Sequence, residues 1–245
     1  MEWNNPDELV EKYCDNGFVK LESFLNNVEL ERARKEVDTF VENNAKELQG
    51  RDVNYVDGEI NSVHCLHKSK WVSDIQKTDS IRKLVSLFLN EAGEARGAEL
   101  FAKPAFSGLA SPMHQDNYYW CIDNANALTI WIALDDANEE NGGVYYYKGT
   151  NKLGLLEHKP SYALGSSQTL KHPEGMEYFE KVIPILKAGD CLIHHSLIVH
   201  GSNANTSANS RRGWTMQFKG EASKYDSFMQ ERYKQSLDEQ IKQRT

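Results

Sequence analysis

Through the first 95 residues the apolar positions recur at three- and four-residue spacing, the period of an amphipathic helix. Asn5-Pro6-Asp7-Glu8 combines a cap-type residue, an early proline and two carboxylates, the signature of a helix start. Leu9, Val10 and Tyr13 continue that helix, and Gly17 stops it. Leu30, Ala33, Val37 and Val41 form the apolar stripe of a second helix, predicted from 27 to about 48. Ile81, Leu84, Val85, Phe88 and Leu89 form that of a third, from 79 to about 91. Phe18-Val19-Lys20-Leu21 alternates instead and predicts a strand. Beyond residue 97 the period changes to short β-type runs separated by Gly, Asn and Pro, which predict strands near 98–104, 128–134, 143–147, 182–186, 191–195 and 213–218. The stretch 221–245 is charged with helical spacing and predicts a surface helix. The pattern is that of an α+β, mainly β chain: helices packed on an antiparallel sandwich or barrel, in one domain over 1–245, with no internal repeat.

Composition narrows the class. At 245 residues with 40% apolar and 26% charged side chains, the chain can bury a sizeable core and is neither disordered nor low-complexity. Lys and Arg number 28 against 36 Asp and Glu, a net charge of -8 that argues against a nucleic-acid partner. No apolar run approaches the roughly 18 residues of a membrane span, and the N-terminus lacks a secretory pattern. Cys14, Cys65, Cys121 and Cys191 are scattered without CxxC spacing, as reduced thiols of a cytoplasmic protein would be.

Candidate chemistry concentrates in the β region. In His114-Gln115-Asp116, an extended backbone would point residues i and i+2 to one face, bringing imidazole and carboxylate to one metal. His200 ends the apolar run that begins at Cys191, and Arg211 follows eleven residues later. Two histidines and a carboxylate on one side of an ion leave the other side open, which suits a non-haem Fe(II) centre. A closed structural zinc site would want four ligands, usually including cysteine, and no such set is evident.

The chain resembles the phytanoyl-CoA dioxygenase family of Fe(II)- and 2-oxoglutarate-dependent dioxygenases. The likeness runs from about residue 5 to 219 and rests on five ordered blocks: 113–120 around His114-Gln115-Asp116, 129–136 from Thr129-Ile130-Trp131, Glu140-Asn141-Gly142-Gly143, Lys148-Gly149-Thr150-Asn151-Lys152, and Ala188-Gly189-Asp190 leading to His200-Gly201-Ser202-Asn203. It implies a double-stranded β-helix (jelly-roll, cupin-like) core over 96–219, a mostly helical preface over 1–95 packed on one sheet, and a C-terminal helix over 221–245. It implies that His114, Asp116 and His200 hold Fe(II), that Arg211 pairs with the distal carboxylate of 2-oxoglutarate, that Ser202 donates to the same carboxylate, and that Trp131 lines that pocket. A guanidinium fork gives a bidentate, charge-assisted contact that lysine does not copy. Arg212 competes for this role, since neighbouring strand residues face opposite ways; the family's spacing favours Arg211.

Other residues carry two readings each. His194 and His195 lie nearer the sheet centre than His200, and one is expected to support the site rather than ligate. His64 and His67 flank Cys65 without a partner pair for zinc, which leaves a surface or cleft role; His158 and His172 read as loop residues. Tyr118, Tyr119 and Trp120 either pack in a strand or wall the substrate pocket. Phe101 and Lys103 share one face by parity, with Lys103 either meeting an anionic substrate group or sitting solvated on a rim. The expected substrate contacts are Phe101, Lys103, Tyr118 and Trp120. Asp116 fills the position that related halogenases leave small, so hydroxylation is the expected outcome: O2 and 2-oxoglutarate are consumed, succinate and CO2 are released, and an unactivated C–H of a small, polar metabolite is oxidised. The alternatives are a non-catalytic jelly-roll that binds a small molecule, and a metal-dependent isomerase or hydrolase, which would not need Arg211.

Overall fold

Strands that are apolar on one face and mixed on the other need cover on both, and the chain supplies it with helices on one side and a second sheet on the other. The computed structural model describes residues 5–44, 48, 52–163 and 166–242. Its elements run α1 (Pro6–Asn16), β1 (Phe18–Leu21), α2 (Asn27–Asn44), β2 (Val53–Val56), β3 (Glu59–Val63), α3 (Lys70–Gln76), α4 (Asp79–Leu89), β4 (Gly93–Lys103), β5 (Ser111–His114), α5 (Asp116–Trp120), β6 (Ala127–Ala133), β7 (Val144–Tyr147), β8 (His158–Pro160), β9 (Gln168–Leu170), β10 (Lys181–Val182), β11 (Cys191–His195), β12 (His200–Ser202), β13 (Arg211–Gly220) and α6 (Ser227–Lys242).

Among the described residues one sheet has the order β1-β11-β6-β13-β4-β3-β2 and faces a second of order β10-β7-β12-β5, with β8 and β9 as a separate hairpin. From β4 to β7, and again from β10 to β13, successive strands change sheet, the winding of a double-stranded β-helix. All pairings are antiparallel. The preface places the expected β1 at one edge of the large sheet and adds β2–β3, which the pattern did not mark, at the other.

The stripes read from the sequence meet this sheet. Leu30, Ala33 and Val37 of α2 and Ile81, Leu84 and Val85 of α4 share one buried cluster with Ile130, Ile132, Trp214 and Met216. Each Val, Leu, Ile or Met among them contributes about 1.5–3 kcal/mol when fully buried. No helix among the described residues is long and apolar enough to cross a membrane.

Three expectations need correction. The predicted strand at 182–186 pairs only over Lys181–Val182, and Leu186 then makes an isolated bridge to Ala137; Pro184 has no N–H to donate, and this breaks the ladder. The first helix lacks the side-chain cap its sequence suggests, because the Asn5 amide donates to the Glu8 carboxylate instead, at 2.8 Å. The second helix is described from Asn27 to Asn44; of the stretch expected up to 48, residues 45–47 lie outside the described residues, and the Leu48 amide donates to the Asn44 carbonyl at 2.9 Å. The charged α6 is more than a surface helix: Gln240 is buried and accepts from the Ser161 amide at 3.1 Å, and Ser236 donates to Gln168 at 2.7 Å.

Candidate metal centre and its cavity

β12 pairs with β5 so that His200 stands directly opposite His114, with ring centroids 4.3 Å apart. Cross-strand neighbours on one face are the sheet's way of bringing distant sequence positions together. Asp116 is not in a strand, as the sequence suggested, but opens α5. Gln115 between them is extended (φ -117°, ψ 131°), so the alternation persists just long enough to keep Asp116 on the side of His114. One donor atom from each of His114, Asp116 and His200 lies within 4.8 Å of the others. Asp116 Oδ1 is 3.7 Å from His114 Nε2 and 3.6 Å from His200 Nε2, too long for hydrogen bonds. Donors that each sit about 2.1 Å from a shared ion fall within this range of one another.

The protonation pattern suits ligation. His114 Nδ1 lies 2.8 Å from the Pro112 carbonyl and His200 Nδ1 3.0 Å from that of Ile198. A carbonyl can only accept, so each Nδ1 carries the proton and each Nε2 presents its lone pair. Asp116 Oδ2 accepts from Thr129 at 2.9 Å and from His194 Nε2 at 3.1 Å, leaving Oδ1 for the shared centre. Tyr146 donates in turn to His194 Nδ1 at 2.9 Å, so His194 is a supporting histidine. Burial alone would raise Asp116, but the imidazole environment, with His194 Nε2 donating to its Oδ2, outweighs it and holds the carboxyl well below its usual range. Burial, then His114, push His200 down to about 3, so it is neutral at physiological pH.

Gln115 points away from this cluster and locks the turn. Its amide donates to the Leu197 and Gly154 carbonyls at 2.7 and 2.9 Å, and its backbone N–H to His158 Nε2 at 3.0 Å. His158 is therefore a buried strand residue and not the expected loop residue, pushed down to about 3 chiefly by burial. His195 accepts from the Leu197 amide at 3.0 Å, and His172 is exposed beside Glu174.

A cavity of about 540 Å³ opens from the cluster, and residues of the large sheet line its floor. At one end Arg211 (2% exposed) and Lys103 (3%) face each other across β13 and β4. Arg211 donates to the Gly142 carbonyl at 2.7 Å and the Phe101 carbonyl at 3.3 Å, and its Nε is buried with no partner. Lys103 donates to the Asn203 carbonyl at 2.8 Å and to that of Leu109. It is thus a buried residue of the cavity and not a solvated rim lysine. Burial, then Arg211, push Lys103 down to about 6, and burial pushes Arg211 down to about 10. A buried guanidinium beside an amine that burial keeps mostly neutral, neither with a carboxylate partner among the described residues, is costly unless an anion joins them. Arg212 points the other way, to Asp135 at 2.9 Å and Asp38 at 3.0 Å, so strand parity separates the two arginines.

Trp131 and Ser202 also line this end, with the Arg211 guanidinium 5.3 Å from the Trp131 ring. A Cβ on Gly213 would come within 2.0 Å of that indole, so only glycine leaves it room. Gly142 has φ +78° and packs on Lys103 in the same way, where a Cβ would come within 2.6 Å of Cδ.

The rest of the wall was partly hidden in the sequence. Phe101 and Trp120 line the cavity as expected, but Tyr118 does not; it stacks on His158 at 4.2 Å, and Tyr119 takes the place on the cavity wall. Parity pairs 118 with 120 in a strand, whereas in a helix the residues that share a face with Asp116 are i+3 and i+4, Tyr119 and Trp120. His64, Arg96, Glu99, Thr129 and Gln217 line it too, and α6 closes over it with Tyr233 and Leu237. Strand alternation on β4 and β13 signals Glu99 and Gln217, but nothing local signals Arg96 or α6.

Fold and site together define a double-stranded β-helix protein with a facial two-histidine, one-carboxylate cluster. Residues 13–213 match the family described as Phytanoyl-CoA dioxygenase (PhyH), and the chain belongs to that family. It is 26% identical over 227 residues to peroxisomal phytanoyl-CoA dioxygenase of Bos taurus, a match covering 84% of this chain and 66% of that protein. To the probable alpha-ketoglutarate-dependent hypophosphite dioxygenase of Stutzerimonas stutzeri it is 24% identical over 221 residues, 84% of this chain and 75% of that one. In fold it is similar to EctD from S. alaskensis with bound Fe (TM-score 0.76, 18% identity, 92% of this chain and 82% of that one). It is also similar to the alpha ketoglutarate dependent carbocyclase SnoK from nogalamycin biosynthesis (TM-score 0.72, 21% identity, 89% and 85%).

Proposed function

We propose that the protein is an Fe(II)- and 2-oxoglutarate-dependent dioxygenase that hydroxylates an unactivated C–H bond of a small-molecule substrate. The observation that carries this reading is the juxtaposition, in one cavity, of a facial three-donor cluster and an uncompensated Arg–Lys pair. His114 Nε2, Asp116 Oδ1 and His200 Nε2 would hold the ion, which suits a divalent metal left open on one side. Arg211 would take the far carboxylate of 2-oxoglutarate in its planar fork, with Lys103 and Ser202 beside it. The Trp131 indole would wall the co-substrate and keep water from it. Charge favours the assignment: the Asp116 carboxylate and a dianion balance a divalent ion plus one guanidinium, with Lys103 as a neutral donor beside them.

Bound together, iron and 2-oxoglutarate supply the oxidising chemistry, in which dioxygen converts the co-substrate to succinate and CO2 and leaves one oxygen atom for the substrate. The protein's own part is to fix the donors. Thr129 and His194 hold Asp116 in one orientation, the Pro112 and Ile198 carbonyls set both histidine tautomers, and α6 shields the mouth. Tyr119 and Trp120 would stand on the substrate side, together with Phe101.

The test is succinate formation from 2-oxoglutarate by purified, iron-loaded protein, with dioxygen present and absent. The expected result is succinate that requires both iron and dioxygen. A protein that binds iron yet never consumes 2-oxoglutarate would be the binding module instead, and turnover of a substrate without 2-oxoglutarate would indicate the isomerase or hydrolase reading.

A further inference from the structure

β13 runs along the cavity floor as Arg211, Gly213, Thr215 and Gln217, each paired across β4 with Lys103, Phe101, Glu99 and Gly97. Six residues of strand separate Arg211 from Gln217, about 20 Å. At that far end the register slips: Gln217 pairs with Gly97 but Phe218 pairs with Ala95, leaving Arg96 as the extra residue of a β-bulge. By simple alternation Arg96 would share the helix-covered face of Ala98 and Leu100. The bulge re-aims it, and it lines the cavity instead.

What Arg96 meets there is incomplete. It donates to Gln217 Oε1 at 2.7 Å, lies 4.5 Å from the Trp120 ring and reaches the Tyr225 hydroxyl, while its Nε is buried without a partner. The neighbouring carboxylate is already engaged: Glu99 accepts from His64 Nδ1 at 2.9 Å and from Gln217 Nε2 at 2.7 Å. Outside the cavity, Arg212 has Asp135 and Lys219 has Glu94. Arg96 has no such pair among the described residues. A half-buried guanidinium over an indole, with its Nε buried and unpartnered and no described carboxylate in direct ion-pair contact although Glu99 and Asp116 lie nearby, is suited to an oxyanion.

We infer that Arg96 anchors an anionic group of the substrate, a carboxylate or phosphonate, so that the substrate is a small organic anion lying between Trp120 and the three-donor cluster. The inference rests on the reading that Arg211 and Lys103 hold 2-oxoglutarate, which leaves Arg96 as the cation still to be matched. Asp116 is tied to the floor through Thr129, which pairs with Gln217 across β6 and β13, so this anchor sits on the same stretch of floor as the candidate metal centre.

The experiment is a calorimetric titration of the anaerobic protein loaded with Fe(II) and 2-oxoglutarate. The probes are butyrate and methylphosphonate, each against its uncharged counterpart, butyramide and dimethyl methylphosphonate. At least one anion should bind about tenfold or more tightly than its neutral partner. R96Q should erase the preference, R96K should keep part of it, and Q217E, which sets a carboxylate beside Arg96, should erase it without removing the guanidinium. The 2-oxoglutarate affinity should stay the same in all three variants. Neutral probes binding as well as anions, no saturable anion binding, a preference that survives both R96Q and Q217E, or loss of 2-oxoglutarate from R96Q would each overturn the proposal. Failure of the earlier reading shows itself differently, as wild-type protein that takes up no 2-oxoglutarate in the loading step.

Discussion

The two faces of the large sheet are made by the same strands and differ in everything else. On β6, Ile130 and Ile132 enter the helix-covered core while Thr129 and Trp131 face the cavity. On β13, Trp214, Met216 and Phe218 go one way, and Arg211, Thr215 and Gln217 the other. The first face is dry and hydrocarbon-rich and accounts for stability. The second buries charges without counter-ions, which stability alone would not retain. Alternate residues of one strand thus serve folding and chemistry separately, and substitutions on the two faces should have opposite signatures.

The largest effect expected on the cavity face is at the candidate metal centre. Asp116→Ala should lower succinate formation by about a thousandfold or more per folded molecule, since the metal carries the chemistry, with a smaller loss of stability in the metal-free protein of about 1–3 kcal/mol from the Thr129 and His194 donors it strands. On the other face, Ile132→Ala should cost about 2–5 kcal/mol of stability in chemical denaturation and leave turnover per folded molecule unaltered. Arg211→Leu should weaken 2-oxoglutarate binding by about 30- to 100-fold, the worth of a charge-assisted bidentate contact. The same change should leave stability unaltered or raise it, because it removes an uncompensated buried charge. If Arg211→Leu unfolds the protein while Ile132→Ala does not, the division between faces is wrong.

The smallest effect is a pH dependence. Burial, then His194, push His195 down from 6.5 to about 4, and burial pushes His158 down to about 3. The unfolded chain takes up protons there that the folded chain refuses, so stability is complete above about 6.5 and falls as pH drops toward 4. Each histidine adds up to about 1.4 kcal/mol per pH unit to the slope. His195→Asn keeps an acceptor for the Leu197 amide and should flatten the slope measured by urea midpoints between pH 7 and 5.

Legibility in the sequence followed the range of the physics. β1 announces itself by local alternation, β11 by a short apolar run bounded by turn residues, and the α4 stripe by apolar residues at helical spacing. Family resemblance, not spacing, brought His200 to His114: β5 and β12 are four and three residues long, and only their register makes the pair. Aromatic Tyr118-Tyr119-Trp120 has strand propensity, but tertiary bonds override it: the Asn117 amide donates to the Ser196 carbonyl at 2.9 Å and its side chain to that of Ile122 at 2.9 Å, winding a short helix. Arg96 was illegible because a bulge breaks the parity on which the reading depends.

On the proposed function, His114, Asp116 and His200 would share one ferrous ion, with 2-oxoglutarate held beside it by Arg211. Anaerobic titration of the protein with Fe(II) and then 2-oxoglutarate, followed by visible absorption, tests this central claim most directly. One iron per chain is expected, with a charge-transfer band that develops only on adding 2-oxoglutarate and is absent from His200→Ala. A protein that retains no iron, or a His200→Ala variant whose band and stoichiometry match the wild type, contradicts the account.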